Sequence, residues 1–276
     1  MVRAGHGRHV SALSTLFART RAEDRAALVG YLPAGYPTET GAIDAFRAMV
    51  DAGVDVIEVG LPYSDPLMDG PTIQRAVDAA LRAGTTTAAV MRTVEAVAAC
   101  GVPTLVMTYW NPVERYGVDR FAHDLATAGG CGVITPDLLP EEASPWLGAV
   151  DAAAIDPVFL VAPSSSDDRI TATAAVCRGF VYAASTMGVT GARDSVGDRA
   201  QELVTRTRAV TQLPIGVGLG VSTGAQAGEV ASYADAVIVG SALVRCLLDA
   251  ANPQAGLTAL HTLTSELAAG VRHGAG

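Results

Sequence analysis

Eight short apolar runs recur along the chain, and longer amphipathic segments lie between them. The runs are Ala27–Leu32, Val54–Val59, Pro103–Thr108, Gly132–Thr135, Val158–Val161, Gly179–Ala183, Ile215–Gly218 and Ala236–Val239. Strands that read as continuous apolar runs, each followed by a helix, belong to a parallel sheet covered on its outside. Eight such units in 276 residues is the count of a closed (βα)8 barrel, a fold that runs to about 250 residues as one domain. A doubly wound open sheet is the rival, and the strand count disfavours it. The helical segments include Glu39–Ala52, Pro71–Ala83, Thr87–Cys100, Asp119–Ala128, Arg169–Val176 and Arg199–Val210. An extra helix at about Ser11–Arg19 precedes the first strand, and Gln254–Gly270 forms the last. The expected fold class is α/β: a single TIM barrel over residues 1–276, with an extra N-terminal helix and a flexible tail at 1–10.

Composition narrows the chemistry. All 19 basic residues are arginine, so no Schiff base and no pyridoxal attachment can form on this chain. A P-loop, which needs its lysine, is excluded as well. The net charge is −9 with no basic cluster, which argues against nucleic acid. No metal site is expected: the histidines (His6, His9, His123, His261, His273) are scattered, and Cys100, Cys131, Cys177 and Cys246 match no zinc spacing. Those cysteines read as small buried thiols in a reducing compartment. No apolar run approaches the roughly 18 residues of a membrane span, and the start lacks a signal-peptide core. A cytoplasmic location is expected.

Two βα loops are long, Gly60–Gly70 after the second strand and Ala184–Gly197 after the sixth. In a barrel such loops rise from the C-terminal face, where active sites sit. Strand alternation puts Val56 and Glu58 on one face and Ile57 and Val59 on the other. With Ile57 and Val59 under the helices, Glu58 points into the barrel mouth, where burial raises a carboxyl pKa toward general acid/base use. The alternative is a structural Glu paired with an arginine. Asp69 follows in the proline-stiffened loop; it either caps the next helix or faces Glu58 across a pocket, splitting acid and base roles. Glycine-rich turns follow the last three strands: Gly188-Val189-Thr190-Gly191, Gly216-Val217-Gly218-Leu219-Gly220 and Gly240-Ser241. Barrels build phosphate sites in those loops, from peptide N–H groups and a helix N-terminus, here with the Ser241 hydroxyl. A Cβ at Gly220 or Gly240 is expected to crowd the anion.

The run from Ile57 through Glu58-Val59-Gly60-Leu61-Pro62-Tyr63-Ser64-Asp65-Pro66-Leu67-Met68-Asp69-Gly70 to Pro71 resembles the signature of the tryptophan synthase α subunit. The likeness continues in Gly35-Tyr36-Pro37, Tyr109-Trp110-Asn111-Pro112, Pro136-Asp137-Leu138, Gly188-Val189-Thr190-Gly191, Val217-Gly218-Leu219-Gly220 and Val239-Gly240-Ser241. It implies cleavage of indole-3-glycerol phosphate to indole and glyceraldehyde 3-phosphate without a cofactor on this chain. It also implies transfer of indole to a pyridoxal-phosphate-dependent β subunit within an α2β2 complex. By position, the resemblance makes Glu58 the acid/base and Asp69 the carboxylate on the indole N–H. Tyr182 falls near the reacting glycerol, and Tyr31 where the family packs a Phe against indole. Thr190 and Gly191 fall in a closing loop, Gly220, Gly240 and Ser241 in the phosphate cradle, and Pro62, Asp65 and Asn111 on the face toward the β subunit. Met68 replaces the usual Ala, and Leu139 displaces a proline. A stand-alone lyase and a catalytically silent regulatory subunit are the alternatives, separated by indole release with and without β subunit.

Overall fold

The structure, a computed structural model, describes residues 10–185 and 194–273. Its strands are β1 (Ala27–Pro33), β2 (Val56–Gly60), β3 (Thr104–Met107), β4 (Gly132–Ile134), β5 (Asp156–Val158), β6 (Leu160–Val161), β7 (Val181–Ala184), β8 (Ile215–Gly218) and β9 (Ala236–Val239). The first six helices are α1 (Ala12–Ala22), α2 (Glu39–Asp51), α3 (Pro71–Arg82), α4 (Thr87–Ala98), α5 (Trp110–Tyr116) and α6 (Val118–Thr127). They are followed by α7 (Ser144–Ala152), α8 (Asp167–Val176), α9 (Asp194–Arg208), α10 (Gly224–Ala231), α11 (Ser241–Leu248) and α12 (Pro253–His273).

All pairings are parallel, in the order β5-β4-β3-β2-β1-β9-β8-β7-β6. The two ends of that order, β5 and β6, are separated in the chain by Phe159 alone, so the sheet comes round into a barrel. The expected fifth strand is therefore two pieces. At the break the Phe159 N–H donates to the Cys177 Sγ at 3.4 Å instead of joining a strand ladder, and Pro157 has no N–H to give.

Two apolar layers flank the sheet. Ile57, Val59, Val106, Val133 and Val217 face outward onto the helices, packed with Phe46, Val94, Phe121 and Trp146. Val29, Val56, Leu105, Ile134, Val158, Phe180 and Ile238 fill the interior, where Leu13, Leu16 and Phe17 of α1 join them. The extra helix thus plugs the N-terminal end of the barrel, with the Phe17 and Phe180 rings 5.8 Å apart. Ser11 starts that helix by accepting the Ser14 N–H at 3.1 Å.

Arg25, just after the plug, ties it to the strands beneath. Arg25 donates to both carboxylate oxygens of Asp55, at 2.8 and 2.9 Å, and Asp55 also accepts the Leu28 N–H at 2.9 Å. Both side chains are under 10 % exposed, at 9 % and 5 %. Removing one member of a buried ion pair strands the other charge, a loss of about 3–5 kcal/mol. Arg25→Ala is expected to lower the unfolding free energy by about that amount in urea titrations at neutral pH, and a change below about 1 kcal/mol refutes the clamp.

One expectation fails here. Of the four cysteines, only Cys177 is buried; Cys131 and Cys246 are half-buried and Cys100 is exposed. Cys100 lies just beyond the last turn of α4, in a solvent-exposed position. Among the described residues no helix is long and apolar enough to cross a membrane.

Candidate active site

The C-terminal strand ends converge on Glu58. In register it lies between Tyr31 of β1 and Leu105 of β3, above Val56 in the barrel interior. It is 1 % exposed, and its Oε2 has no hydrogen-bond partner among the described residues. Among the described residues no arginine pairs with it, which disfavours the structural ion-pair alternative. Burial, reinforced by the nearby Asp69 charge, pushes its carboxyl up to about 8.

Asp69 reaches the same space from the loop between β2 and α3. The helix-capping alternative is settled by geometry: Gly70 is the N-cap of α3, Pro71 stands at its first turn, and no side chain caps it. Asp69 Oδ1 instead accepts the Tyr109 hydroxyl at 2.8 Å, while that hydroxyl accepts the Met68 N–H at 3.1 Å. Burial raises the Asp69 pKa and the Tyr109 bond opposes the rise. Two neighbouring carboxyls are thereby pushed in different degrees, the pattern from which separate acid and anion roles arise.

Tyr31, buried, and Tyr182, half-buried, line this space as neutral phenols. Desolvation lifts both well above the usual tyrosine range, and the Glu58 charge adds to it in each case. Glycines make room for the rings. A Cβ on Gly218 would come within 2.5 Å of the Tyr182 hydroxyl, and one on Gly60 would overlap that of Tyr31.

The phosphate-cradle candidates lie along the same rim. Gly220 has φ +82°, a left-handed backbone conformation that favours glycine. Gly240 is the N-cap of α11 and supplies no side-chain cap, so the first N–H groups of that helix, which starts at Ser241, are left for a ligand. A Cβ at Gly240 would also meet the Tyr31 ring at 3.2 Å, so substitution there disturbs the ring-flanking side of the site as well. Thr190 and Gly191 lie outside the described residues.

On the outer side, Asn111 Nδ2 donates to the Tyr63 hydroxyl at 2.8 Å, and Ser64 Oγ donates to Asp65 at 2.5 Å. Pro62, Tyr63 and Asn111 line one cleft, with Pro62 itself buried, while Asp65 is exposed on the same loop as Leu67 and Met68, which are 77 % and 47 % exposed.

A family model described as "Tryptophan synthase alpha chain" matches residues 17–272. The chain belongs to the tryptophan synthase alpha chain family. The tryptophan synthase alpha chain of Acidothermus cellulolyticus is 61 % identical over 263 residues, spanning 95 % of this chain and 98 % of the relative. That of Salinispora arenicola is 63 % identical over the same shares. The solved structure of Mycobacterium tuberculosis tryptophan synthase superposes with a TM-score of 0.89 at 56 % identity, covering 96 % of this chain and 99 % of that one. As a tryptophan synthase alpha chain, the protein is the carbon–carbon lyase of indole-3-glycerol phosphate in tryptophan biosynthesis; the synthase's pyridoxal phosphate belongs to the separate β chain.

Two residues gained importance only from the geometry. Tyr109, in the family-like Tyr109-Trp110-Asn111-Pro112 run, is the hydrogen-bond partner of Asp69. Asp137 accepts the Trp110 N–H at 2.9 and 3.1 Å through its two carboxylate oxygens and so fixes the start of α5, where Tyr109 sits. A polar residue just past a strand end was the available signal for Tyr109.

Proposed function

We propose that Glu58 and Asp69 divide the lyase chemistry between them. The observation that carries this reading is a buried carboxyl oxygen of Glu58 with no partner among the described residues, beside a second carboxylate held by Tyr109. With its pKa near 8, Glu58 is mostly protonated at neutral pH and gives its proton to indole C3. Asp69 accepts the indole N–H and offsets the positive charge that this protonation creates. Glu58, now a carboxylate, takes the proton of the glycerol hydroxyl on the carbon bonded to the ring. The O–H electrons form the aldehyde, the carbon–carbon bond breaks, and its electrons return to the ring as indole leaves. Glu58 ends protonated, ready for another turn. Protonated indole is the electron sink, so neither a lysine nor a metal is required.

Tyr31 flanks the indole and Tyr182 the glycerol. The amides at Gly220, Gly240 and the start of α11, with Ser241, hold the phosphate, and Thr190 and Gly191 belong to a loop that closes over it. A β subunit docks on the C-terminal face at Pro62, Asp65 and Asn111 and receives the indole within an α2β2 complex. The exposed Leu67 and Met68 beside that surface support this docking. A cytoplasmic site of action is part of the same reading, in keeping with four free cysteines.

The test is indole release by the chain alone and titrated with β subunit. A slow basal rate that rises on adding β is expected, with Asp65→Ala reducing the rise more than the basal rate. By linkage, substrate on this chain tightens the complex. If calorimetry confirms binding while indole release stays unchanged, activation is refuted and the stand-alone lyase stands.

A further inference from the structure

The loop after β2 is joined to the start of α5 at two places, and between them two aromatic rings meet. At the inner place Tyr109 bonds Asp69; at the outer place Asn111 bonds Tyr63. The Tyr63 and Tyr109 rings lie 5.5 Å apart, tilted by 38°. We propose that Tyr63 is a positioning residue for Asp69, acting through the Tyr109 ring and latched at its outer end by Asn111. The proposal rests on the reading of Asp69 as the carboxylate that faces the indole.

The argument is mechanical. Asp69 sits on a loop rather than on a strand, so its carboxylate is aimed by what holds it. The torsion that turns a tyrosine ring about its own bond is broad, and packing against the ring face has to narrow it. For Tyr109 one face is met by Tyr63. The partly exposed Tyr63 would itself swing were its hydroxyl not held by the Asn111 amide at 2.8 Å. Asn111 and Tyr109 are two residues apart at the helix start that Asp137 fixes, so both ends of the ring pair are referred to one rigid element. A displacement of the exposed outer bond therefore tilts the inner one. The proposed β-docking residues lie on that outer bond, which gives a docked subunit a short path to the reacting centre.

A misplacement of about 1 Å at a reacting group can cost about 10²-fold, so Tyr63→Ala is expected to lower kcat by about 10- to 100-fold with KM nearly unchanged. Tyr63→Phe keeps the ring contact but loses the Asn111 latch, so its loss of rate is expected to fall between the parent and Tyr63→Ala. The titratable groups facing Asp69 are Glu58 on β2, Tyr31 on β1 and Tyr109. The Tyr109 bond favours the Asp69 anion, so loosening it moves the acid limb of kcat to higher pH. Indole-3-glycerol phosphate cleavage is measured against pH with saturating β subunit for Tyr63→Ala, Tyr109→Phe and the double variant. The expected result is an acid limb displaced in the same direction in both single variants, and a double variant no slower than Tyr109→Phe. Additive losses, or an unmoved limb in Tyr63→Ala beside a moved one in Tyr109→Phe, overturn the role of Tyr63. Full activity in Asp69→Asn overturns the underlying reading instead.

Discussion

Glu58→Gln is expected to lower the cleavage rate by about 10²–10⁴-fold or more and, at mildly alkaline pH, to raise the melting temperature. Both effects come from one cause. The carboxyl is buried, one oxygen has no partner among the described residues, and its pKa is pushed up to about 8 against an ordinary value of 4.5. Because the folded pKa is raised, the stability contributed by the neutral carboxyl is complete below about pH 4.5 and is lost as pH climbs through about 8. Glutamine has nearly the same shape and cannot ionise, so the variant escapes that loss. Its Tm is expected to match the parent's near pH 4.5 and to exceed it by a growing margin up to about pH 8. Calorimetric melts across that window and steady-state indole release check the two halves. Near-normal turnover in Glu58→Gln would sink the acid/base assignment, whatever the melts show.

Asp69→Asn is expected to remove about 10²–10³ in kcat while preserving the fold. The substitution keeps the size of the side chain and an oxygen that can still accept the Tyr109 hydroxyl. What disappears is the negative charge opposite the protonated ring. The pH profile carries a second signature. On the proposed division of roles, the parent needs Asp69 ionised and Glu58 protonated, so activity is expected to fall at low pH through Asp69 and at high pH through Glu58. Without the Asp69 charge, one of the two causes that raise Glu58 is gone, and the alkaline limb of the residual activity moves to lower pH. A rate within tenfold of the parent, or an alkaline limb that stays in place, refutes the pairing.

The barrel was legible because its strands are buried on both faces and its longer helices repeat at a helical period. Glu58 was legible for the same reason: a carboxylate inside an apolar strand has a computable face. What escaped depended on contacts between distant segments. At the break, a thiol eighteen residues away accepts the Phe159 N–H, and no local pattern encodes that. The helices 110–116, 144–152, 224–231 and 241–248 carry too few turns for a clear periodicity. The two readings of Asp69 could not be separated in one dimension, since a loop aspartate before a proline-led helix suits a cap as well as a site. Only the placement of Tyr109, forty residues on, decides it.

The plugged N-terminal end makes this molecule a cup rather than a pipe. With Leu13, Leu16 and Phe17 seated against Phe180, Val158 and Ile238, the lumen below Glu58 is solid side chain. Everything that reaches the reacting carboxyl comes over the lip, and both fragments leave by it. A phosphorylated aldehyde is at home in water beyond that lip, whereas an aromatic hydrocarbon-like product is not. The destination of the indole is therefore set by whatever is seated there at the moment of cleavage, and not by a passage through the filled N-terminal end.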